Sequence, residues 1–487
     1  MSGRLLNTRY IMACLFVFFS ISGCSLIAIE ETLAGNDYYI SPTGDDTAGD
    51  GLIGTPWATL KKAEASISAG DTVYCRGGTY LNHPRVKWDV VGTSISPITV
   101  KAYPGETPVF SSQGAGLFIA VRGVGWVTFD GLEVKGYKNA FNTRGLPYVD
   151  DTADTVTDYA ENITIRNCYM HDTDSHGIYV SAGSKNIVIN NNVIEDVAEF
   201  GIHNWHNPGA DGLEVYNNLL INCKNNFAIG AWDGKNIKIY NNTVIGGFEG
   251  LSIYQNKTPS NYEIIVKNNI FYLPTLYVIH ERYEDGSASN ITFDNNVFYK
   301  PSGTFAYWNH AKVETLSASQ TISGGIANSN KSDPLFANVD NGNYDLKRNS
   351  PAIDTGAFTD TSNYDYDGNP RPHGFGHDIG AYEASFLLSN SGAKSVSRVG
   401  SVRNTINASL VSGTQQSISY STSGLPPGAT ASFTPAYCTP EFDSDCTTTL
   451  KIRTSFSSTT PKGEYTITVL GTTGEITKRT SFVLTVK

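Results

Sequence analysis

Charge is scarce in this chain of 487 residues, of which 17% are Asp, Glu, Lys or Arg. A charge-rich helical bundle or a solvated disordered chain carries more, so neither fits. Basic residues are the scarcer sign, 35 against 46 acidic, for a formal net charge of −11. That balance excludes nucleic acid as an expected partner, because phosphate-binding surfaces cluster Lys and Arg. An acidic glycan would also be repelled unless a local basic patch or a divalent cation met it. With 7 cysteines, disulfides cannot be the main framework. The apolar run at 10–21 is too short to span a bilayer comfortably.

That run follows Arg4 and Arg9 and leads into Ile21-Ser22-Gly23-Cys24, four residues that resemble the bacterial lipobox. The resemblance implies a signal peptide over 1–23, lipidation of Cys24 and a tether over 24–36. Ser25 resembles the signal for an outer-membrane destination. The expectation is a bacterial outer-membrane lipoprotein or cell-surface protein, a monomer that meets the membrane through its lipid anchor only. Cys438 and Cys446, eight residues apart across a turn-rich loop, are expected to form a disulfide; Cys75, Cys168 and Cys223 read as buried thiols.

Alternating apolar and polar residues in runs of four to six predict β-strands almost throughout. A phrase recurs: Asn-Ile-Thr-Ile-Arg-Asn at 162–167, Asn-Ile-Val-Ile-Asn-Asn at 186–191, Leu-Glu-Val-Tyr-Asn-Asn at 213–218. It sets Asn167, Asn191, Asn217, Asn241, Asn268 and Asn295 in one column. A repeat of this length with two or three strands is one turn of a parallel β-helix, so equivalent residues stack about 4.8 Å apart. The column is expected at a turn, its amides bonding one another along the axis. A second aligned strand would place Ile178, Ile202, Phe227 and Leu251 inward and Tyr179, His203, Ala228 and Ser252 outward.

Upstream, Thr59 is placed to cap a helix near 57–69 carrying Leu60, Ala63 and Ile67, followed by Gly70-Asp71-Thr72-Val73-Tyr74. This passage resembles the N-terminal cap of pectate-lyase-like right-handed parallel β-helices, including polysaccharide lyase family nine and uncharacterised relatives. The resemblance implies an all-β, right-handed single-stranded parallel β-helix over 37–386. Segments from Asp333 to Glu383 look like the portion that closes many such proteins. Asp365, Asp367 and Asn369 within it have calcium-loop spacing but lack a following bidentate Glu. A Ser/Gly-rich linker is expected at 387–403, and an immunoglobulin-like β-sandwich at 404–487.

Stacking would bring His171, Asp172, Asp174, His176, His203, Trp205, His206, Asp211, Trp232, Asp233, Lys235, Tyr254, Lys257, His280, Glu281 and Arg282 to one groove. Trp205, His206, Trp232, Tyr254 and His280 are expected to bind a sugar chain, rings stacking on aromatic faces. Elimination on a uronate polymer needs a base, an acid and something to neutralise the sugar carboxylate. His203 with Tyr179, aided by His176, is the candidate pair, and Arg282, Lys235 or calcium on Asp172 and Asp174 the candidate neutraliser. Family nine lyases use a Lys base and Asp-bound calcium, and the outward column here holds no Lys. A glycoside hydrolase, a uronate epimerase and a non-catalytic glycan-binding adhesin are the alternatives.

Overall fold

The computed structural model describes residues 35–114, 116–145, 158–205, 210–254, 263–282, 290–314, 326–455, 460–474 and 476–487. Cys24, with the expected signal and the tether as far as residue 34, and His206 and Lys257 lie outside the described residues. Three sheets of eleven, ten and nine strands wind along one axis. One coil shows the pattern: Ala160–Arg166 joins the eleven-stranded sheet, Tyr169–His171 the nine-stranded and His176–Val180 the ten-stranded. Pairing between coils is parallel, except where Ala306–Trp308 meets Ala311–Val313 in antiparallel fashion. Parallel crossovers of this kind wind right-handed. Ile163, Ile165, Met170, Ile178 and Val180 from this coil are buried in one continuous core with their counterparts above and below.

Thr59 caps the helix Leu60–Glu64 as its sequence predicts, its hydroxyl accepting from the Lys62 N–H at 3.1 Å. Leu60 and Ala63 pack into the first coil and cover its edge strand. The helix is shorter than the expected 57–69.

The repeated asparagines split into two columns with different work. Asn167, Asn191, Asn217, Asn241, Asn268 and Asn295 all have φ between 49° and 54°, the left-handed bend that Asn tolerates. The amide ladder expected of them belongs instead to the next residue: Asn192, Asn218, Asn242, Asn269 and Asn296, each fully buried. Each of the first four donates from Nδ2 to the Oδ1 of the next at 2.9–3.0 Å. The bend column points outward, where its Nδ2 groups hold a returning strand of chain. Asn295 donates to the Thr355 carbonyl, Asn268 to Ala357, Asn217 to Tyr364 and Asn191 to Tyr366. The segment expected to close the solenoid thus folds back along its flank. It covers the apolar outer face of the nine-stranded sheet, where Leu219, Ile245, Ile270 and Val297 pack with Phe336, Ala352, Ile379 and Ala381. Asp365 is occupied inside this segment by the Asn369 backbone N–H, the Asn369 amide and the Glu383 N–H, which makes 365–369 a self-bonded turn.

The linker expected at 387–403 is not one. Phe386–Asn390, Lys394–Val396 and Gly400–Leu410 are strands, and Leu388 and Val396 are buried. Few apolar residues mark this stretch, yet those few alternate with the sheet. It belongs to a C-terminal unit of two sheets, four- and five-stranded, enclosing one core, an arrangement compatible with a small sandwich. Cys438 and Cys446 are bridged there, and Cys75, Cys168 and Cys223 are buried thiols.

The C-terminal unit is fastened to the flank by a buried cation. Lys478 donates to Asp345 at 2.8 Å and to the Glu383 carbonyl at 3.1 Å. Burial opposes its charge, but Asp345, Asp365 and Asp367 outweigh burial and hold it well above the ordinary lysine value. Removing one member of a buried pair costs about 3–5 kcal/mol. Lys478→Met is therefore expected to uncouple the two-sheet unit, so that urea unfolding followed by tryptophan fluorescence and by near-ultraviolet dichroism no longer coincides. Coincident, unshifted transitions would show that the contact does not join them.

Candidate functional site

The outer face of the ten-stranded sheet presents three columns. The first holds His176, Phe200, Phe227, Glu249 and Tyr277. The second holds Asn142, Tyr179, His203, Gly230, Ser252, His280 and Tyr307. In the third, Trp232 pairs with Tyr254, Trp205 follows Asn204 and Arg282 follows Glu281 in register. Between the first two columns lies a small residue, as in Gly177, Gly201 and Gly250. A Cβ there would sit 2.7 Å from Ile194, 2.8 Å from Leu220 or 2.8 Å from Phe271 inside the coil. With glycine turned inward beside an inward Ile178, Ile202 or Leu251, the residue before it, His176, Phe200 or Glu249, faces out.

Ala228, expected beside His203, is not in that column; Gly230 is, because Ile229 rather than Phe227 pairs with Ile202. The Phe227 ring folds over Gly230, where a Cβ would lie 2.3 Å away. It also meets His203, as do five other rings: Phe200 at 4.4 Å, Trp232 at 4.8 Å, His176 at 5.2 Å, and Tyr179 and Trp205 at 5.6 Å. His203 is 2% exposed. This corrects its expected role as the base: a sugar C–H cannot reach a ring so enclosed.

His203 instead belongs to a hydrogen-bonded chain. Glu199 accepts from the Ser175 hydroxyl at 2.9 Å, Ser175 meets His176 Nδ1 at 2.8 Å, and His176 Nε2 meets His203 Nδ1 at 3.0 Å. Burial, then nearby Lys138, pushes His176 from 6.5 down to about 3, so it too is no general base near neutrality. Between those values the unfolded chain binds the proton and the native chain does not. Stability is therefore full above about pH 6.5 and is lost as pH falls towards 3, by an amount on the order of 3–5 kcal/mol. Denaturant midpoints measured from pH 7 to pH 4 should fall more steeply for the natural protein than for His176→Gln; parallel slopes would contradict this.

The accessible polar cluster lies two coils further on. Glu249, 1% exposed, receives His280 Nδ1 at 2.8 Å on one oxygen and Arg282 Nη2 at 2.7 Å on the other. Burial alone would raise its pKa, but His280 and Arg282 outweigh burial and hold it below the ordinary carboxylate value. Because Glu249 is the acceptor, His280 Nδ1 carries the hydrogen, and whenever Nε2 carries none it is the ring's acceptor. Tyr277 and Tyr307 flank His280 at 5.0 and 5.4 Å between ring centroids. Arg282 donates to Ser252 and Asn226, and Ser252 also receives the Trp232 indole N–H at 3.1 Å. Beside this cluster Trp205, Trp232 and Tyr254 form a strip, Trp205 being 42% exposed.

The structure thus brings together His176, Tyr179, His203, Trp205, Trp232, Tyr254, His280 and Arg282. It separates Lys235, which opens a strand of the eleven-stranded sheet beyond the Asp233–Gly234 turn. His171 faces the nine-stranded sheet, bonded to Asp172 and Glu133, and Asp174 is exposed. Among the described residues no three His, Cys, Asp or Glu side chains converge as a metal site. Asp172 is bonded to His171 and Asp174 is exposed, with no third such ligand beside them among the described residues. Sequence reasoning missed Glu249 and Tyr277. For Glu249 the signal was its place before an inward glycine, as in His176-Gly177, Phe200-Gly201 and Glu249-Gly250.

A family model described as "Pel9A-like, right handed beta helix region" matches residues 38–237. Pectate lyase PEL9 of Emericella nidulans is 25% identical over 344 residues, covering 66% of this chain and 74% of that protein. The uncharacterized protein YwoF of Bacillus subtilis is 28% identical over 170 residues, 34% of this chain and 30% of that one. Among solved structures, pectate lyase Pel9A superposes with a TM-score of 0.42 at 15% identity, covering 72% of this chain and 97% of its own. A rhamnogalacturonan lyase gives 0.40 at 16% identity, covering 63% and 92%. The family match covers residues 38–237, which lie within the parallel β-helix described above.

Proposed function

We propose that this protein cleaves a uronate-bearing polysaccharide by β-elimination on the outer face of its ten-stranded sheet. The observation that carries the reading is the Glu249–His280 pair beside Arg282, next to a strip of Trp205, Trp232 and Tyr254. The relationship to a pectate lyase adds support. Glu249 fixes the His280 tautomer, and Nε2 takes the proton from the carbon next to the sugar carboxylate. Arg282 Nη1, which has no partner among the described residues, faces the carboxylate and stabilises the charge that builds there. The bond to the departing oxygen breaks as the carbon–carbon double bond forms, and Tyr277 or Tyr307 protonates that oxygen.

Hydrolysis would need two carboxylates across the scissile bond. Between Asn142 and Tyr307, Glu249 is the single carboxylate among the described residues of these three columns, and it is already engaged on both oxygens. The same reading places the enzyme at the bacterial surface through a lipid on Cys24, which Cys24→Ala would release into the medium.

Purified protein incubated with polygalacturonate, and in parallel with alginate, is expected to raise the ultraviolet absorbance of unsaturated uronate ends with at least one of them. Binding without product, unaffected by His280→Gln, would favour an adhesin and overturn the reading.

A further inference from the structure

We propose that the cleft between the flank segment and the C-terminal two-sheet unit is a second glycan site, one that takes a neutral oligosaccharide. It goes beyond the lyase reading and does not depend on it.

One wall of the cleft is the hairpin of Phe336–Asn338 and Asn343–Leu346, paired in antiparallel fashion. The other comes from the strands Phe386–Asn390 and Ile476–Val486 of the C-terminal unit. The space between them is about 860 Å³, within the range of about 300–1,000 Å³ that ligand sites occupy. None of its lining residues belongs to the three columns of the ten-stranded sheet. A ligand held here leaves the face that carries His280 open.

The charged residues of the lining are Asp345, Asp367, Lys347 and Arg479, two of each sign. Their formal charges cancel, which favours a neutral ligand over a polyanion or a polycation. Asp367 is short of donors. Its side chain is 19% exposed, Arg479 reaches Oδ1 at a long 3.4 Å, and no group among the described residues donates to Oδ2. Burial raises its pKa to about 6, against the opposing pull of Lys478 and Arg479. Two neighbouring sugar hydroxyls could donate to such a carboxylate without bringing a charge of their own. Asn338 and Asn341 line the same cleft and make no side-chain hydrogen bond among the described residues. Each amide offers both a donor and an acceptor, the pair that a sugar hydroxyl also presents. Tyr382 and Phe482 add aromatic surface for the C–H face of a pyranose.

Calorimetric titration of the full-length protein with hexamers of β-1,4-linked glucose, xylose, mannose and galactose, and with hexagalacturonate, tests the site. At least one neutral hexamer is expected to bind. Its affinity should fall about tenfold or more in Asp367→Asn, which loses the charged acceptor. It should fall as far in Ser389→Trp, which fills the cleft from an exposed position. The Ser389 side chain makes no hydrogen bond among the described residues, so a matching loss there separates lost binding from lost folding. Hexagalacturonate affinity should change less than about twofold in either variant. No binding by any of the four neutral hexamers, binding that either variant keeps at its natural strength, or an equal loss for hexagalacturonate would overturn the site. Unsaturated ends scored on polygalacturonate and alginate separate the two proposals. A protein that holds a neutral hexamer in this cleft but yields no such ends keeps the site and loses the lyase reading. One that cleaves but binds none of the neutral hexamers does the reverse.

Discussion

Replacing His280 by Gln is expected to lower turnover on the cleaved uronate polymer by about 10²–10⁴-fold, the range for removing a general base, while glycan affinity changes by less than about threefold. Gln keeps a polar group near Glu249 but cannot accept and then release a proton. The loss should be confined to kcat, because His280 is only partly exposed and the aromatic strip beside it is left intact. Glu249→Gln should also reduce kcat, since an amide no longer dictates that Nδ1 carries the hydrogen. It also removes the anchor of Arg282, so its effect should include a rise in KM. A His280→Gln protein that remains within a factor of about three of the natural rate would remove His280 from the chemistry.

The largest loss of stability is expected from Asn242→Leu, a change of similar volume at a fully buried position. Asn242 Nδ2 donates to the carbonyls of Val215 and Tyr240 and to Asn269 Oδ1. Its Oδ1 accepts the Asn218 backbone N–H and the Asn218 side-chain amide. Leucine strands all of these groups away from water, at about 1–3 kcal/mol each. Even two uncompensated groups then approach the 5–15 kcal/mol that holds a typical domain folded. The variant is expected to be recovered mostly insoluble, or to unfold at a much lower denaturant midpoint.

Asn217→Gly is the contrasting case. Its φ of 53° suits glycine, and only the outward bond to the Tyr364 carbonyl is lost, so about 1 kcal/mol is expected. Similar losses in the two variants would show that the two columns do not divide their roles.

That division marks where the sequence was legible. The asparagine repeat gave period, strand direction and coil stacking, because solenoid geometry turns sequence spacing directly into neighbourhood. It did not separate residues one apart. A left-handed bend at Asn217 and an inward amide at Asn218 both favour the same residue type, for different reasons. The cluster of His and Trp was legible for the same cause, and its convergence followed from register. Burial of His203 was not, because Phe200 and Phe227 look like core residues until the inward Gly201 and Ala228 beside them show that they face out. Lys235 stands three residues past Trp232, but the turn between them changes sheets. The stretch 387–403 read as a linker because polarity was taken for looseness, whereas Leu388 and Val396 alone suffice to seat it.

The central claim is elimination on the face that carries His280. Digesting the responsive uronate polymer in water labelled with heavy oxygen and weighing the products by mass spectrometry tests it most directly. The account predicts that each cut leaves one unsaturated end, that no label enters the products, and that His280→Gln abolishes both new ends. One heavy oxygen incorporated per cut, with no unsaturated end, would contradict it.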